Sequence, residues 1–293
     1  MSDSTSSAPY LWGQMTWPEL RTAARLERVV LLPVGVIEDH GPHLPVDTDV
    51  VLAEGVCIAA AAEAPDGVVV APPVVHGYSP HHMDFPGTIS VRASVLIDYC
   101  LDVCKSIAYH GFSKILLVNG HGGNVSALDM VAKVATLETG AFVAVISHWA
   151  LEPVRRLAPD LLESPGAGGM VHADEFETSL YLALRPELVQ MDKAVREIAM
   201  PPSQYFWVDL ISPGDRITSA GFMEPWSAYT ESGVIGDPTL ASAAKGQRLL
   251  AAAATGLVEL ANEMRDRPIA KATDHHGRDR SGVVRQYSRV SPW

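Results

Sequence analysis

Residues 33–49, which read PVGVIEDHGPHLPVDTD, are dense in side chains that bind metal ions. The potential ligands are Glu38, Asp39, His40, His43, Asp47 and Asp49. Glu38 and His40 are two residues apart, so an extended backbone points both to the same side. The turn signal Gly41-Pro42 predicts that Asp49 folds back toward them. An imidazole with two carboxylates suits zinc, manganese or iron(II), and the alternative is a solvated acidic loop.

The motif NGHGGN at 119–124 is the second such stretch. Its glycines allow a tight turn and a close approach of the backbone to a ligand. His121 follows a predicted strand directly and is a candidate for the same site. A phosphate-binding loop is the alternative, but the motif lacks both the Walker lysine and the GxGxxG spacing.

The motif HADE at 172–175 is the third. We predict one helix over 170–184, with His172 and Glu175 on the same face of its first turn. Such a helix start would supply one metal ligand and one acid–base group. Asp174 is rotated away on this helix, and Glu177 is predicted to be a structural carboxylate.

Four buried strands have to position these motifs. Apolar runs predict strands over 29–34, 68–75, 114–118 and 141–146, separated by helical segments. Strands that alternate with helices form a parallel sheet with helices on both faces, and ligands bind beyond the C-terminal strand ends. The sequence therefore predicts an α/β fold with all ligand-rich loops at one sheet edge.

Composition argues against some classes of binding partner and indicates the cellular compartment. A net charge of −12 argues against nucleic acid and anionic membranes. The three cysteines, an odd number, indicate buried thiols in a reducing compartment. The start MSDSTSSAPY lacks the pattern of a signal peptide, and no apolar run is long enough to span a membrane. We expect a cytoplasmic protein that acts on a small molecule, without membrane or nucleic-acid partners.

Three segments are expected along the chain. Residues 1–9 are Ser-rich and predicted to be disordered. Residues 10–267 are predicted to form a single catalytic domain, in which the irregular segment 187–238 would act as a lid, a substrate wall or an oligomer contact. Residues 268–293 form a charged tail without a core pattern.

Four motifs together resemble the creatininase (creatinine amidohydrolase) family. They are the 33–49 stretch, FPGT at 85–88, NGHGGN at 119–124 and HADEFETS at 172–179. The resemblance runs over residues 31–184 and includes GDPTLAS at 236–242. It implies a creatininase-like three-layer α/β/α fold with a mostly parallel sheet, a binuclear metal centre and a homohexamer.

The resemblance also implies roles for individual residues. Glu38 and His121 correspond to ligands of one metal ion, and His40 corresponds to a ligand of the other. Asp49 corresponds to the carboxylate that bridges both ions. His172 corresponds to the catalytic histidine that moves protons.

The sequence departs from creatininase itself at one ligand. Creatininase has a His-Tyr-Glu sequence whose glutamate binds the second metal, whereas Gly123 stands at that position here. The chain therefore resembles an HGGN-type branch of the family, in which Glu175 is expected to replace the missing ligand. For substrate binding, the resemblance points to Ser79, the 85–88 loop, His121 and an apolar wall that includes Trp149, Trp207 or Trp226.

The implied activity is a binuclear metal-dependent amidohydrolase. Two divalent ions (zinc, manganese or iron) would activate a hydroxide that attacks a carbonyl carbon, and His172 would protonate the departing nitrogen. The expected substrate is a small cyclic amide or a formamide. A peptidase, a carbohydrate-ring hydrolase of the same family, and a non-catalytic metal-binding scaffold are the alternatives.

Overall fold

The computed structural model describes residues 9–164, 168–199, 205, 209, 223–270, 273 and 275. Its helices are α1 Trp17–Arg25, α2 Thr48–Glu63, α3 Ala93–Tyr109, α4 Val125–Thr139, α5 Glu152–Leu161, α6 Glu175–Leu184 and α7 Ala243–Asp266. Its strands are β1 Val29–Val34, β2 Val68–Val70, β3 Lys114–Asn119, β4 Phe142–Ser147, β5 Met170–His172 and β6 Ile235–Gly236. Trp207 and nearly all of the predicted N-terminal segment and C-terminal tail lie outside the described residues.

The central sheet has the order β2-β1-β3-β4, and all its neighbours are parallel. The four predicted strands are present at nearly the predicted bounds. The second ends early, at Val70, because Pro72 and Pro73 cannot donate to a ladder. Val74 rejoins the sheet through an isolated bridge to Val34.

Alternate strand residues pack into two separate hydrophobic cores. Val29 and Leu31 face a core that includes residues of α2, α5, α6 and α7. Val30 and Leu32 face the opposite core, which includes residues of α1, α3 and α4. Side chains of a strand alternate between the two faces, so a fully apolar run buries both. Helices on both faces of a parallel sheet confirm the predicted α/β class.

The predicted helix over 170–184 is wrong at its start. Residues 170–172 form β5, which pairs antiparallel with β6, and α6 begins only at Glu175. Between them Ala173 takes a left-handed conformation with φ of 49°, and Asp174 caps the helix. The four residues of HADE therefore lie on a strand end, a turn and a helix start.

No helix in the described ranges combines the length and the apolar character needed to cross a bilayer. The assignment of residues 10–267 to one domain stays a prediction.

Candidate metal centre and active site

The ends of β1 and β3 bring two of the sequence motifs to one edge of the sheet. Glu38 and His40 follow β1, and His121 follows β3. The Glu38 amide donates to the carbonyl of Val46 at 2.9 Å, so the intervening loop folds back as predicted. That return places Asp49, fully buried, in the first turn of α2.

Asp49 lies between two histidines. Its Oδ1 is 3.1 Å from His40 Nε2, and its Oδ2 is 3.1 Å from His121 Nδ1. Glu38 Oε1 is also 3.1 Å from His121 Nδ1. On the other side, His40 Nε2 is 3.7 Å from Glu177 Oε2. The cluster thus has two halves that share one carboxylate.

Three histidines of the cluster each place their second ring nitrogen near a backbone carbonyl. The pairs are His40 Nδ1 with Glu38 at 3.3 Å, His121 Nε2 with Tyr78 at 3.2 Å, and His172 Nε2 with Asp39 at 2.7 Å. A nitrogen that donates to a carbonyl carries the proton, which leaves the other nitrogen free. This arrangement is typical of histidines that bind a metal or transfer a proton.

The donor set fits divalent cations. Glu38 Oε1, His40 Nε2 and Asp49 Oδ2 are buried and lie at ion-pair distance from neighbours, yet they form no well-aligned hydrogen bond within the described residues. Ligands held about 2.1 Å from one ion lie about 3.0–3.4 Å apart at octahedral or tetrahedral angles. The 3.1 Å separations match this range.

Charges within the cluster shift the pKa values of its histidines in opposite directions. Burial disfavours a charged His121 ring, but the carboxylates of Glu38 and Asp49 overcome this and raise its pKa to about 10. Burial, reinforced by the neighbouring histidines, lowers the pKa of His172 well below its ordinary value. His172 is therefore neutral at pH 7.

Glu175, the expected replacement ligand, lies away from this cluster. Its carboxylate accepts hydrogen bonds from the backbone amides of Glu163 and Ser164 and pairs with Lys245 Nζ at 2.5 Å. Besides Asp49, the carboxylate that faces His40 belongs to Glu177. The structure thus corrects the predicted placements of both Glu175 and Glu177.

The start of α6 explains why Glu177 faces His40 and Glu175 does not. Asp174 caps the helix by accepting from the Glu177 amide at 3.0 Å, and the Glu177 carboxylate accepts from the Ala173 amide at 2.7 Å. Glu177 is thereby turned back toward the strand end and His40. The spacing from Asp174 to Glu177 is that of a capping box, a sequence signal that could have located the helix start.

The predicted substrate-binding residues have different surroundings. Ser79 is fully buried, and its Oγ donates to Glu38 Oε2 at 2.5 Å. Its hydroxyl therefore orients Glu38, a potential metal ligand, and does not line the cavity that opens onto the cluster. Thr88 of the FPGT loop accepts from the Asp39 amide at 3.1 Å, so this loop also supports the cluster from behind. Trp149 lines the cavity, as does His121.

His82 was not assigned a role from the sequence. Its ring is buried, lies 4.4 Å from the His172 ring, and stands between the carboxylates of Glu38 at 3.9 Å and Asp39 at 3.5 Å. The only signal was its place in a His-rich loop after the second strand. Within the described part of the chain, three groups of potential metal ligands overlap here: Glu38/His40/Asp49, His40/His172/Glu177 and Glu38/His82/His172.

A cavity of about 200 Å³ opens onto the cluster. One part of its wall is the turn over residues 120–123 together with Trp149. Another part comes from a distant stretch of chain that contributes Met223, Glu224, Trp226 and Tyr229. The Trp226 ring lies 4.8 Å from the His82 ring and 5.5 Å from the His172 ring.

Comparison with known proteins places this geometry in a family. The sequence matches the family described as Creatininase: Creatinine amidohydrolase over residues 13–261. The chain belongs to the creatininase family. The prediction made from the four motifs is therefore confirmed, and the family's hydrolase character extends to several relatives.

Curated relatives of this chain have different activities. It is 36% identical to the mycofactocin precursor peptide peptidase of Mycolicibacterium smegmatis, over 79% of this chain and 83% of that protein. It is 32% identical to the creatinine amidohydrolase of Pseudomonas putida, over 67% of this chain and 81% of that protein. It is 30% identical to the 3-dehydro-scyllo-inosose hydrolase of Thermotoga maritima, over 86% of this chain and 83% of that protein.

Solved creatininase structures share the fold. One matches with a TM-score of 0.73 at 28% identity and covers 89% of this chain and all of that chain. Others are described as a manganese form and a Zn-Zn form. Buried groups that could hold metal are thus found here in a fold whose solved members carry zinc or manganese.

Proposed function

We propose that this protein is a binuclear metal-dependent amidohydrolase that hydrolyses a C–N bond of a small cyclic amide or formamide. The position of Asp49 is the observation that carries the proposal. Its two oxygens lie at equal distances from two different histidines, one in each half of the cluster. A carboxylate so placed is suited to bridge two ions.

The two proposed ligand sets share this carboxylate. Glu38, His121 and Asp49 would hold one ion, and His40, Glu177 and Asp49 would hold the other. Carboxylate and imidazole ligands suit zinc, manganese and iron(II), and relatives with zinc or manganese favour the first two. The ions would supply Lewis acidity, which polarises a carbonyl and makes water a stronger nucleophile near neutral pH.

His172 has the geometry of a proton carrier. Its Nε2 donates to the Asp39 carbonyl, so its Nδ1 is the free nitrogen, 3.8 Å from Glu38 Oε1. A neutral ring can accept a proton at Nδ1 and deliver it to a departing nitrogen. The hydrogen bond at Nε2 fixes the ring orientation during this transfer, and the adjacent rings of His82 and Trp226 exclude bulk water.

A peptidase is the second candidate. The relative from Mycolicibacterium smegmatis, at 36% identity, cleaves a precursor peptide according to its name. A peptide bond is also a C–N bond, and the same cluster could act on it. Because the inosose hydrolase is also a relative, hydrolysis of a carbohydrate-like ring is a third candidate activity.

The test is hydrolysis by protein loaded with zinc or manganese. We expect mass spectrometry to detect ring opening or deformylation in a panel of lactams, cyclic ureides and formamides. His172→Ala should lose this activity by about 100-fold or more while it keeps its metal. Cleavage of peptides alone would favour the second candidate, and a metal-loaded protein inactive on every class would favour a non-catalytic scaffold.

We also propose that the chain assembles as a homohexamer in the cytoplasm. Exposed apolar side chains on α3 and α4 support an assembly, among them Tyr99, Tyr109, Met130 and Leu137. Mass photometry should give the mass of six 31.4 kDa chains. A monomer mass at micromolar concentration would contradict the assembly.

A further inference from the structure

Adjacent glycines of the NGHGGN turn have opposite surroundings. A Cβ atom at Gly123 would lie 2.4 Å from His121 Nε2 and 2.7 Å from the Tyr78 carbonyl, so packing requires glycine there. A Cβ atom at Gly122 would have no heavy atom within 4 Å, although Gly122 lines the cavity. Gly122 also has no left-handed φ. The missing side chain at this position therefore leaves space open for a ligand.

Aromatic rings form other parts of the same cavity wall. Trp149 and Trp226 both line the cavity, and Tyr229 meets Trp226 edge to face at 6.2 Å and 82°. The Trp226 segment is held in place, since Ser227 Oγ donates to Asp84 Oδ2 at 2.5 Å. A rigid aromatic wall binds a flat ring with little loss of entropy.

Residues 230–232 anchor this wall at its other end. The Glu197 carboxylate accepts hydrogen bonds from Thr230 Oγ1 at 2.7 Å, from the Glu231 amide at 2.9 Å and from the Ser232 amide at 3.1 Å. The segment that contributes Trp226 and Tyr229 is thus tied down on both sides. The aromatic wall is in place before a ligand arrives.

The aromatic side of the cavity carries an acidic side chain outside the proposed ligand sets. Glu224 lines the cavity and accepts a hydrogen bond from the Tyr229 hydroxyl. No lysine or arginine is among the described residues that line the cavity. An anionic substituent on a ring held against Tyr229 would therefore meet the Glu224 carboxylate without a lysine or arginine of the described lining to pair with.

We propose that Gly122, Trp149, Trp226 and Tyr229 form a subsite for an uncharged aromatic or heteroaromatic ring attached directly to the scissile amide. This inference deepens the proposed hydrolase function and rests on it. Gly122 supplies the space, the aromatic residues supply the stacking surface, and Glu224 beside Tyr229 selects against an anionic ring.

Hydroxamates test the subsite without requiring turnover, because they need only the metal for binding. Calorimetry on the metal-loaded protein would compare acetohydroxamate, benzohydroxamate and 4-carboxybenzohydroxamate. We expect benzohydroxamate to bind about fivefold or more tightly than acetohydroxamate, as aromatic contacts provide. The carboxylated ring should lose that gain.

Two variants and two matched controls locate the effect. Gly122→Leu should abolish the ring preference, whereas Gly13→Leu should keep it, since a Cβ at Gly13 also meets nothing within 4 Å but lies outside the cavity. Trp226→Ala should abolish it too, whereas Trp17→Ala, at a residue 70% exposed and remote from the cavity, should not.

The outcomes separate this inference from the proposed function. A ring preference that both cavity variants remove supports the subsite even if no amide is hydrolysed. Equal affinities of benzohydroxamate and acetohydroxamate, or no binding of benzohydroxamate to protein that carries its metal, would overturn the subsite even in an active hydrolase.

Discussion

His40, His121 and His172 each place one ring nitrogen near a backbone carbonyl and leave the other free to face carboxylates. For His121, the facing carboxylates raise the pKa to about 10, so its ring is protonated at pH 8. A metal ion needs the free nitrogen without its proton. Metal uptake and proton release are therefore coupled in this cluster.

We expect metal loading at pH 8 to release at least about one proton per chain, because a cation must displace the His121 proton. A pKa raised in the metal-free protein means that apparent metal affinity increases with pH until about 10. Calorimetry in buffers of different ionisation enthalpy counts the protons. Loading without proton release would show that His121 does not bind the metal.

Ser79 provides a second test at this scale. Because its hydroxyl donates to Glu38, Ser79→Ala should weaken metal binding by about 10–100-fold and leave the KM of metal-saturated protein unchanged. Competition with a chelator gives the affinity. Ser106→Ala, an exposed hydroxyl on α3, is the control. A raised KM with unchanged metal affinity would instead restore the substrate-binding role predicted from the sequence.

Most of the clustered residues could be predicted from the sequence, but Glu175 was expected in the cluster where the structure has Glu177. Glu38, His40, Asp49 and His121 follow strands or begin a helix, and such positions are readable from apolar runs and turn signals. Glu177 was missed because its direction depends on where α6 begins. Because the helix was predicted to start at residue 170 and begins only at Glu175, the side-chain directions expected for the HADE motif were wrong.

At the scale of elements, the contact between α6 and α7 holds Glu177 in place. The two helices approach so closely that a Cβ at Gly246 would overlap the backbone carbonyl of Ser179. Lys245, the preceding residue, pairs with the buried Glu175 at the start of α6. The predicted ligand Glu175 thus has an observed structural partner in α7.

We expect Gly246→Ala to destabilise the protein by about 3 kcal/mol, because a backbone group must move to admit the methyl group. The displacement of α6 should also weaken metal binding. Urea unfolding measures the first effect, and Gly13→Ala, with open space around the added Cβ, is the control. Equal unfolding midpoints for the two variants would show that the helix contact adapts without cost.

Strands were easier to predict than this helix start. The runs around β1 and β3 are apolar on both faces, a pattern typical of central parallel strands. At 170–172 the strand has only three residues before the capped helix. Three residues are too few to show the alternating pattern of a strand, so they could not be distinguished from the helix that follows.

At the scale of the whole molecule, the site depends on contacts between distant parts of the chain. Trp226 packs on His82, and the Gly122 turn lies on the same cavity as Tyr229. No local pattern encodes such pairs, so the sequence offered Trp149, Trp207 or Trp226 as an apolar wall but gave no sign that Trp226 packs on His82 or that Tyr229 lines the same cavity. The strand order β2-β1-β3-β4 was likewise not derivable from apolar runs.

The most direct test of the binuclear centre is the metal content of purified protein by elemental mass spectrometry. We expect about two ions per chain in the wild type, about one in Glu177→Gln, and nearly none in Asp49→Asn, whose shared carboxylate is lost. Glu175→Gln, which changes a buried carboxylate outside the cluster, should keep about two if circular dichroism shows it folded. A single ion in the wild type, or two ions in Asp49→Asn, would contradict the shared-carboxylate centre.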